Sequence, residues 1–464
     1  MDMIENRTLD EIAVGESAAL QRTLSRNDIE LFAVMSGDVN PTHLDAEFAE
    51  QGQFHHVIGH GMWGGALISA VLGTKLPGPG TIYQEQSLRF CRPVAVGDEL
   101  TVQVTVASKD AQSGRVVFDC RCVNQSGEEV ITGTATVLAP REKVRRPRAA
   151  LPEVTLRSGG GRFEALIEQT RAHDPVATAV VHPCDGVSLR GAFEARDEGI
   201  ITPLLVGPPA KIAAAAEEEG LSLDGVELIE VAHSHAAAER AVQLVREGRA
   251  HALMKGKLHT DELLSAVLDR VNGLRTERRL SHVFALDVPG YPRTLLITDA
   301  AINITPGLEA MADIVRNAID LSMALGTRTP RVALLSAVET VTEKLPSTLA
   351  AAAICKMHDR GQILGGEIDG PLAFDNAISA AAARAKGINS SVAGQADILV
   401  APNLESGNMI AKQLIHMAGA ESAGIALGAR VPIMLTSRSD NARARLVSAA
   451  LAQIYAHNLT PVSG

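Results

Sequence analysis

Adding or removing water needs an acid and a base held close together, and Ser36-Gly37-Asp38-Val39-Asn40-Pro41-Thr42-His43 sets a carboxylate and an imidazole five residues apart on a turn stiffened by Pro41. Asp38 can orient or deprotonate a water that His43 shares. A pair of this kind is worth about a hundred- to ten-thousand-fold in rate. The same residues also spell an Asx turn, in which Asp38 and Asn40 fold the chain ahead of a helix beginning near Thr42. The local sequence alone leaves both readings open.

Downstream segments supply what such a pair would work beside. His60-Gly61-Met62-Trp63-Gly64-Gly65-Ala66-Leu67-Ile68-Ser69-Ala70-Val71-Leu72 reads as a helix that is apolar on every side, hence one wrapped by other structure. The first turn of a helix leaves backbone N–H groups unpaired, and the Gly61 amide, with no Cβ over it, could donate to a developing oxyanion. Past Pro77-Gly78-Pro79-Gly80, strand-like runs cover 82–90, 100–107, 115–124 and 129–138, with turn signals at Val96-Gly97-Asp98 and Ser126-Gly127. A central helix inside an antiparallel meander is the expected scaffold.

Residues 1–140 resemble the MaoC-like, (R)-specific enoyl-CoA hydratases of the hot-dog fold. The resemblance is carried by Gly37-Asp38-x-Asn40-Pro41-x-His43, the helix with Gly61, Pro77-Gly78-x-Gly80 and Phe90-x-x-Pro93-x-x-x-Gly97-Asp98. It implies an α+β hot-dog domain that reversibly hydrates a 2-enoyl-CoA to the 3-hydroxyacyl-CoA. Asp38 and His43 would be the catalytic pair, Gly61 the oxyanion donor to the thioester carbonyl, and Asn40 and Ser69 polar residues on the substrate side. Ser69 is equally explained as a small residue that lets the helix pack closely.

The stretch 141–161 contains few core-forming residues and reads as a linker. Its five arginines and one lysine sit in a chain of net charge −11, so a solvated linker is expected and nucleic acid is not. Beyond it, short buried-type strands at 177–182, 202–207, 226–231, 252–254, 294–297, 331–336 and 398–401 alternate with helical stretches such as 236–247, 309–325 and 345–356. That alternation predicts a mostly parallel α/β sheet with its chemistry at the strand C-termini. Motifs at such edges are Lys255-Gly256-Lys257, the carboxylate-rich turn Asp369-Gly370-Pro371-Leu372-Ala373-Phe374-Asp375, Pro402-Asn403-Leu404-Glu405-Ser406-Gly407-Asn408, and Thr436-Ser437-Arg438-Ser439-Asp440.

In this order, and with Asp185-Gly186-Val187, Val206-Gly207-Pro208 and Ala393-Gly394-x-Ala396-Asp397, these motifs make residues 162–464 similar to the phosphate acetyl/butyryltransferase family. The similarity implies a two-subdomain α/β fold of the isocitrate dehydrogenase kind and reversible acyl transfer between CoA and inorganic phosphate. Arg438 would grip phosphate bidentately, which a lysine does less well. Ser437 would hydrogen-bond the phosphate or the carbonyl, and Asp440 would take the thiol proton, since a thiol is mostly protonated at neutral pH. Asn441-Ala442-Arg443-Ala444-Arg445 stands where another carboxylate of the family could lie, which leaves the base open. Lys255, Asn403, Gly407 and Asn408 would line the substrate cleft, although Asn403 could equally cap the following helix.

At 464 residues and 46% hydrophobic, the chain has material for two cores; with aromatics at 3%, those cores must come from Ala, Leu, Val and Ile. The polar start Met1-Asp2-Met3-Ile4-Glu5 and the lack of a long apolar run make a cytoplasmic, membrane-free protein the expectation. Five unevenly spaced cysteines read as reduced core thiols, and His55, His56 and His60 lack a zinc pattern. No metal is expected for that reason, and no nicotinamide cofactor, because no P-loop or dinucleotide-binding glycine loop is present. Acyl-CoA and phosphate as partners, and a homo-oligomer, follow from the two resemblances. The rival reading keeps one half as a catalytically silent acyl-CoA-binding module.

Overall fold

The computed structural model describes residues 3–151, 154, 161–436 and 441–458, arranged as two units, Met1–Leu156 and Arg157–Gly464. Strands of the first unit are β1 (Met3–Glu5), β2 (Ser17–Thr23), β3 (Ile82–Phe90), β4 (Glu99–Lys109), β5 (Arg115–Val123), β6 (Glu129–Leu138) and β7 (Arg145–Pro147). An antiparallel sheet in the order β2-β4-β5-β6-β3 curls around the helix Gly61–Thr74, which is the hot-dog arrangement. The four expected strands are present, and β2 joins them as a fifth.

Small residues set the spacing between helix and sheet. A Cβ on Gly64 would lie 2.3 Å from Ile131 Cδ1, so the glycine lets the helix backbone approach β6. Trp63, Ile68, Val71 and Leu72 pack into the core with Val102, Phe118 and Ile131. The helix is not buried all round as its sequence predicts: Gly61, Met62, Ala66, Ser69 and Gly73 form an exposed stripe, because one sheet covers only one side of it. Gly133 on β6 tolerates no side chain, since a Cβ there would sit 1.9 Å from the Ser87 carbonyl oxygen on β3. Gly133→Ala is expected to destabilise this unit by about 1–3 kcal/mol through forced separation of the two strands; a thermal melt followed on that unit checks it.

The stretch expected as a linker is partly folded. Its residues Arg145–Pro147 pair antiparallel with β1, and Asn6 bonds both to the Glu142 carbonyl (2.8 Å) and to the Val144 amide (2.9 Å). Lys143 meets Glu5 and Glu11. The basic run therefore answers acidic residues near the N-terminus instead of standing in solvent alone. The helix Gly161–Thr170 opens the second unit.

Among the described residues of the second unit, eleven strands form one sheet: β8 (Val176–Val181), β9 (Ile201–Gly207), β10 (Glu227–Glu230), β11 (Ala252–Lys255), β12 (Ser281–Asp287), β13 (Thr294–Thr298), β14 (Arg331–Leu335), β15 (Glu367–Leu372), β16 (Ile398–Val400), β17 (Glu421–Leu427) and β18 (Ile433–Met434). The order is β10-β9-β8-β11-β18-β17-β12-β13-β16-β14-β15. Two parallel flanks, each an α/β lobe, meet through antiparallel pairing of β17 with β18 and β12 and of β12 with β13. Sequence patterning misses β12, β15 and β17. The segment expected as a carboxylate-rich turn begins with β15, an edge strand; Pro371 is tolerated there because an edge needs no ladder N–H on its open side. The cores are built of Ala, Val, Leu and Ile, as the low aromatic content requires.

Candidate functional site

The Asp38 turn is held by its own side chains. Gly37 closes the helix Arg26–Ser36 in the left-handed conformation at φ 75°, which suits glycine. The Asp38 Oδ1 accepts from the Asn40 amide at 3.3 Å, and Asn40 caps the short helix Pro41–Leu44 by accepting from the Thr42 amide. The Asx-turn reading and the catalytic reading are thus compatible: the turn is what presents the acid. Asn40 spends its carbonyl oxygen on that cap.

His43 is half-buried, and its Nδ1 lies 2.8 Å from the Ile58 carbonyl oxygen. A carbonyl only accepts, so Nδ1 carries the proton and Nε2 is left with the lone pair a base needs. His60, buried and directly before Gly61, donates from Nε2 to the Asp38 carbonyl at 3.0 Å, and its ring centroid is 4.0 Å from that of His43. The donor atoms of Asp38, His43 and His60 all lie within 4.8 Å of one another. His60 escaped the sequence reading of this site; its only signal was its place next to Gly61. Ser69 lies inside the Gly61–Thr74 helix, as expected, on the same exposed stripe as Gly61 and a little over two turns beyond it.

A cavity of about 360 Å³ adjoins this cluster, lined by His43, His60, Gly61, Phe90, Pro93 and Ile131 among others. Its volume is that of a small-molecule site. Gly61 is the first residue of its helix, so its amide belongs to the unpaired first turn. A Cβ there would meet the Phe90 ring at 3.0 Å, which keeps the position open only to glycine unless the ring moves.

In the second unit, Ser437, Arg438 and Asp440 lie outside the described residues. The strand that feeds them is described: β18 pairs in parallel with β11, Met254 against Met434, so Lys255, the last residue of β11, stands beside the chain that continues into Thr436. Lys255 is buried, not solvated as a loop lysine would be.

Asn403, Gly407 and Asn408 gather elsewhere along the same sheet edge, against the loop after β13. Asn403 caps the helix Leu404–Met417, its Oδ1 accepting from the Ser406 amide at 2.9 Å. Gly407 lets that helix close on the loop, because a Cβ would lie 2.4 Å from the Asp299 carbonyl oxygen, and Asn408 donates to the Ala300 carbonyl at 3.1 Å. The buried Asp299 carboxylate accepts from the amides of Ala301, Ile302 and Asn303 and from the Asn303 side chain. Gly407 and Asn408 thus brace the 299–303 loop, while Asn403 caps the helix that carries them. That loop was missed in sequence, although a carboxylate directly after a strand with Asn303 four residues on is a readable turn signal.

β13 and β11 stand four places apart in the sheet, roughly 19 Å at ordinary strand spacing, and His282 of β12 lies between them. Burial pushes its imidazole down from 6.5 to about 4, against the opposing pull of Asp299 and a hydrogen bond to the Leu435 carbonyl. Between those values the unfolded chain takes up a proton that the folded one refuses, so stability rises with pH across that window. The second unit is expected to lose stability as pH falls from about 6.5 toward 4. In His282→Gln that part of the slope should disappear, which denaturant titrations at pH 7.5 and 5 would read.

Residues 236–453 match the family model described as phosphate acetyl/butaryl transferase, and residues 12–123 match that of a MaoC like domain. A phosphate acetyltransferase of Rhizobium meliloti is 61% identical over 295 residues, covering 64% of this chain and 93% of its own. The crystal structure of a branched-chain phosphotransacylase from Enterococcus faecalis is 30% identical, with a TM-score of 0.54, over 61% of this chain and 99% of its own. An (R)-hydratase of Pseudomonas aeruginosa is 44% identical over 33% of this chain and 99% of its own, at a TM-score of 0.33. With that identity across nearly a whole relative, the chain belongs to the phosphate acetyl/butyryltransferase family, and a MaoC-like domain precedes its transferase unit.

Proposed function

We propose a bifunctional CoA-thioester enzyme in which residues 1–140 reversibly hydrate a 2-enoyl-CoA to the (R)-3-hydroxyacyl-CoA and residues 162–464 reversibly transfer an acyl group between CoA and inorganic phosphate. The observation that carries the first activity is the grouping of Asp38 with His43 and His60 beside the cavity that His43 and the Gly61 helix start line; the match to phosphate acetyltransferases carries the second.

In hydration, water lies between the Asp38 carboxylate and His43 Nε2. Its oxygen bonds to the β-carbon, one of its protons goes to the pair, and the pair returns a proton to the α-carbon. Charge gathers meanwhile on the thioester oxygen, where the Gly61 amide at the positive end of its helix stabilises it by about 3 kcal/mol. In acyl transfer, a phosphate oxygen attacks the thioester carbonyl, the C–S bond breaks, and CoA leaves as a thiolate that takes a proton. Arg438 and Ser437 hold the phosphate and Asp440 handles the thiol proton. Most of the gain comes from holding both reactants in line.

Neither reaction is a net oxidation or reduction, so no redox cofactor is invoked, and added chelator should leave both rates unchanged even though Asp38, His43 and His60 have the spacing of a metal site. A homo-oligomer is part of the proposal. β3 is an edge strand that exposes Ile82, Tyr83 and Phe90, and Asp38 and Gly61 are exposed in a single copy. No helix among the described residues is long and apolar enough to cross a membrane, which supports a cytoplasmic setting. The test is loss of enoyl absorbance with crotonyl-CoA and phosphate-dependent CoA release from butanoyl-CoA, measured on one preparation. Binding of acyl-CoA with neither signal would favour the silent-module reading.

A further inference from the structure

Two buried basic side chains converge on the pair of residues that immediately precede Ser437 and Arg438, and each is seated against a glycine. His282, 1% exposed at the start of β12, brings its ring Nε2 to the Leu435 carbonyl, whose pull on the imidazole opposes the effect of burial. It reaches that carbonyl beside Gly424 of β17, where a Cβ would lie 3.0 Å from His282 Nε2 and 3.1 Å from the Leu435 oxygen. The register explains the need for glycine: Ile425 pairs with Met434, which carries Gly424 alongside Leu435. From the helix layer, Arg445 of Ala442–Asn458 donates from Nη1 to Thr436 Oγ1 at 2.7 Å. Its stem lies on Gly191 of the helix Gly186–Asp197, where a Cβ would be 2.8 Å from Arg445 Cδ.

Burying an imidazole and a guanidinium is costly, and apolar side chains would fill the same space more cheaply. Their shared feature is the strand end they touch, at Leu435 and Thr436. We propose that His282 and Arg445 are positioning residues for acyl transfer: one from β12, reaching across β17, and one from a helix, they fix the Leu435–Thr436 end of the sheet from which Ser437 and Arg438 follow. Gly424 and Gly191 are the clearances that admit them. This inference rests on the acyl-transfer reading of the second unit and adds to it two residues and two glycines. A displacement of about 1 Å at a reacting group costs on the order of a hundredfold in rate, so a loosened strand end is enough to matter without any direct touch on substrate.

The test uses the full chain, with hydration of crotonyl-CoA as a gauge of intact protein in every sample. His282→Phe keeps a flat ring without a donor, and Arg445→Met keeps the stem without the guanidinium. Both are expected to lower kcat/KM for phosphate by about a hundredfold, with KM for butanoyl-CoA and the hydration rate unmoved. His282→Gln and Arg445→Lys restore an N–H donor and should recover at least about a tenth of the wild-type value. Gly424→Ala, whose Cβ would crowd both His282 Nε2 and the Leu435 oxygen, should behave as His282→Phe does. Phe and Met variants that transfer at the wild-type rate would overturn the proposal, as would Gln and Lys variants no better than they are, whether or not the Phe and Met variants unfold. Absence of transfer in the unsubstituted chain would instead sink the parent reading.

Discussion

Hydration of crotonyl-CoA should fall by about a hundred- to ten-thousand-fold in Asp38→Asn, with phosphate-dependent CoA release unchanged. The substitution is nearly isosteric, and the amide oxygen can still accept from the Asn40 amide as the carboxylate does at 3.3 Å. The turn, the Pro41–Leu44 cap and the His60 bond to the Asp38 backbone carbonyl are therefore expected to survive. What disappears is a group able to hold and release a proton at the water. His43, with Nδ1 committed to Ile58, has one free nitrogen and cannot both take the water's proton and return one to carbon without a partner. His43→Gln should lose a similar factor for the mirror reason. Retained hydration in Asp38→Asn, read as the absorbance change of the enoyl thioester, would place the chemistry elsewhere in the cavity.

Arg438→Ala is expected to abolish acyl transfer by about a thousandfold and leave hydration intact. On the proposed role, losing two charge-assisted hydrogen bonds from a guanidinium to phosphate would forfeit about 1.5–3 kcal/mol for each, and the loss should fall mainly on KM and kcat/KM for phosphate. Arg438→Lys should recover little, since a point charge cannot reproduce the fork. The two activities belong to separately folded units with separate cores, so the two substitutions should act independently. Initial rates against phosphate at fixed butanoyl-CoA check this; a variant that keeps its phosphate KM would remove Arg438 from the role.

The hydratase-like half was legible in sequence because its signals are local. A glycine-closed helix, an Asx turn and a proline place Asp38 and His43 within a few residues, and alternating strands with turn glycines announce most of the sheet. His60 was not legible as part of that site: it lies twenty-two residues from Asp38, and only the fold brings the ring against His43. In the second half, strands followed by Ala-rich helices were readable by period, whereas β12 and β17 were not, since buried antiparallel strands at the centre of a sheet carry neither alternation nor a following helix. The 299–303 loop and the roles of Gly407 and Asn408 in bracing it depend on contacts across a hundred residues. Gly407 shows the limit well: its sequence context reads as a cleft-facing motif, while its described reason is the close approach to Asp299.

Both initial rates, measured side by side in Asp38→Asn and Arg438→Ala, give the most direct test of one chain carrying two independent thioester chemistries. Each variant should lose one rate and keep the other. A single substitution that silences both, or a pair that silences neither, would contradict the account.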